Sequence, residues 1–342
     1  MLLDSKKGKF IVSLDFELMW GVRDIVTSDR YGEHIRGVHQ ALPRILDTFI
    51  KYNIHGTFAV VGLLFFKNKE ELSENLPLRK PTYKNSKLSP YGNYLKDSVG
   101  PAYPEDPYHY GLHLIKLIEC TPNQEIGTHT FCHYYCLEQG QTFEDFEQDL
   151  KAAVGIAAKR GIILRSIIFP RNQVNKKYLP ACWDAGIISY RDNENSWLYT
   201  ARSGENESLI RRALRLMDTY INLSGYHCAS WPMPEDGLPV NIPSSRFLRP
   251  FSPMLRILDP LRLKRIKDSM TYAAKNNLIY HLWWHPHNFG INQKENFAFL
   301  EKILIHYTYL EKKYEFKSCT MSELAEELLE NRINPEYYAG SI

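Results

Sequence analysis

Short apolar runs ending in a polar or charged residue alternate along this chain with longer stretches of helical periodicity. That alternation limits the fold more than any other feature. Residues 9–15 (KFIVSLD) read as a buried strand that ends in a carboxylate. Val38–Tyr52 spaces Ala41, Leu42, Ile45, Leu46, Phe49 and Ile50 along one helical face. Residues 56–61 (GTFAVV) read as the next strand. Further helices are expected over Leu112–Glu119, Phe143–Lys159, 176–185, 261–275, 296–309 and 321–331, and further strands over 125–129, 165–169, 186–190 and 278–284. Strand then helix, repeated, builds a parallel sheet. The expected fold is an α/β chain forming a distorted (β/α) barrel of about seven parallel strands. It is a single domain over residues 1–342 with two irregular insertions. The first, about 67–108, holds Pro77, Pro81, Pro90, Pro101, Pro104 and Pro107; the second, about 192–256, contains one helical stretch near 207–217.

Several classes of function fall away. A doubly wound nucleotide-binding sheet carries a Gly-rich loop after its first strand, but here that position reads Asp15-Phe-Glu-Leu-Met-Trp-Gly21. The net charge of +3 comes from 42 basic and 39 acidic residues interspersed along the chain, too mild a bias for a nucleic-acid partner. The longest apolar run, residues 58–66, is far short of a membrane span, and the first residues have no apolar core of a secretory signal. Six cysteines in 342 residues make no disulfide framework. The expectation is a reduced, cytoplasmic chain whose oligomeric state the sequence leaves open.

The polar residues worth weighing sit where strands end, which is where a β/α barrel keeps its active site. Asp15 and Glu17 lie two apart, so an extended chain points both into one pocket; one could hold a metal while the other acts as a base, or they could simply cap and open a helix. His129 and His133 lie at i and i+4, one side of a helical turn, a spacing that suits a divalent ion. With Cys132 and Cys136 they could instead close a structural zinc site, although such sites draw ligands from two separated pairs, and the cysteines read better as small buried hydrophobes. In Phe169-Pro-Arg171-Asn172-Gln173, Arg171 could orient a catalytic carboxylate or could be a surface loop residue. In His281-Leu-Trp-Trp-His285-Pro-His287, His285 beside tryptophan could carry a proton to a leaving group, with His287 the alternative acid; His281 reads as a hydrogen-bonded core residue.

Taken in order, SLDFE, His129-Thr-Phe-Cys-His133, Phe169-Pro-Arg171 and the strand ending at His285 resemble the polysaccharide deacetylase family, carbohydrate esterase family 4 or the NodB homology domain. Asn53-Ile-His-Gly-Thr-Phe58 resembles that family's second strand. Two positions depart from its usual pattern: Phe16 separates the carboxylates, and Arg171 follows its proline rather than preceding it. The Phe-Pro-Arg-Asn-Gln and His-Pro-His-Asn-Phe-Gly strings are similar to deacetylase-like proteins of O-antigen and surface-polysaccharide clusters. The resemblance implies removal of an N-acyl group, N-acetyl first, from an amino sugar carried on a nucleotide, a lipid or an oligosaccharide. It implies a divalent metal, zinc foremost, on Glu17, His129 and His133, with Asp15 as base held by Arg171 and His285 as acid. Trp20, Asn172, Trp284 and His287 are expected beside the substrate. A metal-free, allantoinase-like amidase on the same fold and a non-catalytic sugar-binding protein are the alternatives.

Overall fold

The computed structural model of the chain describes residues 6–200 and 209–333. Its strands are β1 (Lys9–Phe16), β2 (Gly56–Val60), β3 (Gln124–Thr128), β4 (Ser166–Ile168), β5 (Ser189–Arg191), β6 (Val240–Asn241), β7 (Arg246–Phe247), β8 (Ile279–Trp284) and β9 (Lys317–Ser318). The helices are α1 (Ser28–Arg36), α2 (Val38–Tyr52), α3 (Lys69–Glu74), α4 (Leu112–Glu119), α5 (Phe143–Lys159), α6 (Leu179–Asp184), α7 (Leu209–Asp218), α8 (Asp259–Lys275), α9 (Gln293–Tyr314) and α10 (Met321–Ile333). The strand order is β6-β5-β4-β3-β2-β1-β8-β7, with β9 pairing the start of β1, and all these pairings are parallel. This is the expected distorted (β/α) barrel.

Sequence and structure differ where the barrel closes. Residues 192–256 were expected to be irregular, yet they supply β6 and β7. The N–H groups of Val240, Ile242 and Ser244 donate to Ile188, Tyr190 and Asp192 along β5, at 2.7–2.9 Å. Those of Ser245 and Leu248 donate to His281 and Trp283 of β8, both at 2.8 Å. One extended stretch therefore bridges the two free edges of the sheet and leaves neither open. The expected helix near 207–217 is α7; its first two positions lie outside the described residues.

Burial divides into two shells. Alternate residues of each strand face out and pack against the helices, as Phe10, Val12, Leu14 and Phe16 do beneath α2 and α9. The others face into the barrel. Ile11, Ala59, Ile168, Val240, Ile242 and Ile279 fill its lower half, and α10 plugs that end with Met321, Leu324 and Leu328. Above this layer the inward positions turn polar: Ser13, then Asp15.

A buried ion pair fixes the closing stretch to the outer shell. Asp218, at the end of α7, receives Nη1 of Arg246 at 2.9 Å, the Tyr199 hydroxyl at 2.7 Å, and the backbone N–H groups of Leu223 and Ser224, both at 2.9 Å. Burial alone would raise its pKa, but Arg246 and these donors hold it far below the usual carboxylate range. Asp218→Ala strands the Arg246 guanidinium and should cost about 3–5 kcal/mol in urea unfolding. Because the folded-state pKa is depressed, the difference between wild type and variant should be complete above about pH 4 and shrink as the pH falls further.

Candidate active site

Four strand ends and the loops that follow them converge at the top of the barrel. β1 delivers Asp15 facing inward; Leu18, at φ 46°, then turns the chain so that Glu17 bends over the same space. Gly21 permits that bend, because a Cβ there would fall inside the Glu17 carboxyl group. β3 leads directly to His129. The expected helical turn from His129 to His133 is not formed. Thr130 and His133 take left-handed backbone conformations (φ 64° and 62°), and Asp149 of α5 ties the loop down by accepting from Phe131 N at 2.7 Å and Cys132 N at 3.1 Å. The loop still brings the two imidazoles together, with centroids 5.0 Å apart.

Glu17, His129 and His133 form a buried cluster of metal-ligand type. Hydrogen bonds tie down the Nδ1 atom of each histidine. His129 Nδ1–H donates to the Ile168 carbonyl at 2.8 Å, which leaves Nε2 as a lone pair. His133 Nδ1 is hydrogen-bonded to the Tyr135 hydroxyl at 3.1 Å, and that hydroxyl also lies 3.3 Å from Asp24. Both Nε2 atoms face one carboxylate oxygen, Glu17 Oε2, at 3.4 and 3.1 Å, the second a hydrogen bond. The donor set and its outward-tied Nδ1 atoms fit a divalent cation. Cys132 and Cys136 stand outside this cluster as buried free thiols.

The second carboxylate has a different partner. Arg191, at the end of β5, grips Asp15 with both Nη atoms, at 2.8 and 2.7 Å. Its guanidinium is fully buried, lies 4.1 Å over the Trp283 ring and is steadied by Ser13 and Asn172 at 2.9 and 2.8 Å. Burial would raise the Asp15 pKa; Arg191, aided by His129 and His285, overrides it and holds the carboxyl below its usual range. Glu17 shows the same contest: burial raises its pKa, and the surrounding imidazoles hold it well below normal. Burial pushes His133 down to about 4.

His285 completes the group, with Nε2 at 3.8 Å from both Asp15 and Glu17. His287 stacks on it at 4.8 Å and lies 3.8 Å from Glu17. The His285 side chain is 23% exposed and that of His287 only 5%, so His285 faces the opening. Neither Nδ1 has a hydrogen-bond partner among the described residues.

Three expected residues stand elsewhere. Arg171 does not hold Asp15; it pairs with Asp24 and lies over Tyr135, because its position one step beyond Pro170 (φ 53°) turns it away from the barrel axis. Trp20 is fully buried, its Nε1–H donating to the His109 carbonyl at 2.9 Å, and cannot touch a substrate. Trp284 is fully buried against Phe49 and Phe289. On β8 the inward side chains are His281, Trp283 and then His285, so the tryptophan at the site is Trp283. Asn172 is present, but as a partner of Arg191. His281 is the expected core histidine, bonded to Ser13 at 2.8 Å. Arg191 and Asp149 are the residues that the sequence reading missed.

No family model matches the sequence, and no curated protein matches it. Solved structures do. A protein from Mycobacterium smegmatis described as a polysaccharide deacetylase superposes with a TM-score of 0.60 at 14% identity, over 96% of this chain and 92% of its own. One so described from Pseudomonas aeruginosa gives 0.53 at 9%, over 96% and 91%. An allantoinase gives 0.50 at 10%, over 93% and 88%. The chain has the polysaccharide-deacetylase fold, of the carbohydrate esterase family 4 or NodB type. A fold that also carries an allantoinase leaves activity to be argued from the site.

The two arginines should separate cleanly. Arg191→Ala leaves a buried carboxylate unpaired and should cost about 3–5 kcal/mol in denaturant unfolding. Arg171→Ala removes a pair at the rim and should cost about 1 kcal/mol. Equal costs would contradict the assignment of Arg191 as the Asp15 partner.

Proposed function

We propose that this chain hydrolyses the N-acyl group, N-acetyl first, of an amino sugar belonging to a surface polysaccharide or its nucleotide-, lipid- or oligosaccharide-linked precursor. The observation that carries the reading is the convergence of two imidazole Nε2 atoms on one oxygen of Glu17, beside a second carboxylate held by an arginine. Glu17, His129 and His133 would hold a divalent metal, with zinc well matched to nitrogen and oxygen donors. When bound, such an ion supplies Lewis acidity, polarising an amide carbonyl and making water more acidic.

The remaining steps fall to this chain's own groups. Asp15 takes the proton of the attacking water. Arg191 occupies one lone pair on each Asp15 oxygen and leaves others free, so it orients the base and keeps it ionised without blocking it. His285 lies within reach of both carboxylates, with Nε2 at 3.8 Å from each, and it faces the opening. It can therefore hand a proton to the departing amine, which is a poor leaving group until protonated. His287, nearly closed off, supports the His285 ring. Trp283, rather than Trp20 or Trp284, offers the aromatic wall.

The decisive measurement pairs metal analysis with acid release from N-acetyl and N-formyl amino sugars. Near-stoichiometric metal should be found in the purified chain and lost in His129→Ala and His133→Ala. His285→Ala should keep its metal while kcat falls about 100-fold or more, with KM little changed. Absence of metal after zinc loading would overturn the mechanism and favour a metal-free amidase. Gly21→Ala tests the geometry separately. The atoms nearest its Cβ are those of the flexible Glu17 carboxyl, so zinc affinity should drop at least about tenfold while the unfolding midpoint holds.

A further inference from the structure

Helix α7 is built inside out. Its buried side chains are Arg211 and Asp218, whereas Leu209, Ile210 and Met217 face solvent, Ile210 at 74% exposure. Ile221 continues this apolar face beyond the helix. The end of α7 is tied to the stretch before α8 and to α8 itself: Thr219 accepts from Arg249 at 3.0 Å, and Asp218 lies 3.6 Å from Arg265. The short turn Pro253–Leu258 that leads into α8 carries two more apolar side chains, Met254 at 90% and Ile257 at 83% exposure. Exposed apolar side chains clustered like this mark an interaction surface rather than ordinary scatter.

Among the described residues the charges around it are one-sided. Asp218, Asp259 and Asp268 are already engaged by Arg246, Arg262 and Lys264. Arg212 and Arg256 are exposed, and neither has an ion-pair partner among the described residues. A second copy of the chain docked face to face would set these arginines against their like. An anionic surface would neutralise them.

We propose that this face docks on an anionic lipid bilayer, inserting the α7 and 253–258 apolar side chains between headgroups that pair with Arg212 and Arg256. No helix among the described residues is long and apolar enough to cross a membrane, so the association is peripheral. Along the chain the face is near the site: Phe247 lies edge-on to His285 at 5.9 Å, and the seven residues from it to Met254 span at most about 25 Å. Docking would bring the opening of the barrel near the bilayer.

The test is co-sedimentation of the full chain with vesicles of phosphatidylcholine alone or mixed equally with phosphatidylglycerol. It reads binding only and is independent of the proposed reaction. Binding should be at least about tenfold stronger to the mixed vesicles and fall at least about tenfold in Ile210→Asp/Ile257→Asp and in Arg212→Glu/Arg256→Glu. These positions are exposed, so the unfolding midpoint should hold. Ile163→Asp, exposed at the opposite end of the barrel just before β4, should bind like wild type. Equal binding to both vesicle types, or wild-type binding by both double variants, would overturn the proposal. So would a stable homodimer that Ile210→Asp/Ile257→Asp dissociates.

Discussion

The Asp15–Arg191 pair is the constraint on which the upper half of the barrel turns. A carboxylate this deeply buried survives ionised only if a well-placed partner repays its lost hydration. Arg191 does so with two parallel hydrogen bonds, and the rest of the layer is arranged around keeping it there. Ser13 below and Asn172 at its side accept from it, Trp283 covers its face, and His281 holds Ser13 in turn. These residues come from β1, the loop after β4, β5 and β8, so the pair also fixes how four staves of the barrel meet.

That arrangement gives the two carboxylates different work. Asp15 is committed to a guanidinium. Glu17, two residues on and past the end of the strand, has no arginine; its neighbours are imidazoles whose Nε2 atoms point at it. Two buried carboxylates against one guanidinium leave a negative charge uncompensated within the cluster. An added cation between Glu17 and the histidines would balance it. The asymmetry follows from reach: the arginine arrives from β5 on the Asp15 side of the axis, and the His129–His133 loop arrives from β3 over Glu17.

Much of this was legible in the sequence, and the misses have physical causes. The helical face of Val38–Tyr52 and the strand at residues 9–15 are long and strongly periodic, and apart from exposed Ile50 and half-buried Lys9 they are buried, so pattern and structure largely agree. Trp284 was chosen over Trp283 although period two already decided between them: His281 and His285 share a face, and the residue between them on that face is Trp283. Arg191 lay one residue beyond the expected end of its strand, and boundaries are the weakest part of such a reading. The His129–His133 spacing suggested a helical turn because i, i+4 pairs meet on helices; here two left-handed residues and Asp149 achieve the same meeting in a loop. The closing stretch was invisible because β6 and β7 are two residues each, too short to show any period.

The segment 192–256 therefore does more than insert. It supplies the stave that closes the barrel, sets Phe247 beside Trp283 and His285, buries Trp231 at the lower end with its Nε1–H on Asn277, and leaves α7 with polar groups inward. A helix that spends its buried face on Arg211 and Asp218 gains little from burial of apolar area. The ionic contacts beneath it hold it in place, and its apolar residues remain free for something outside the chain. Closing the barrel and presenting that face are one structural event, because Arg246 of the closing stretch is the partner of Asp218. A change that loosens the pair should disturb the wall behind His285 and the outer face together.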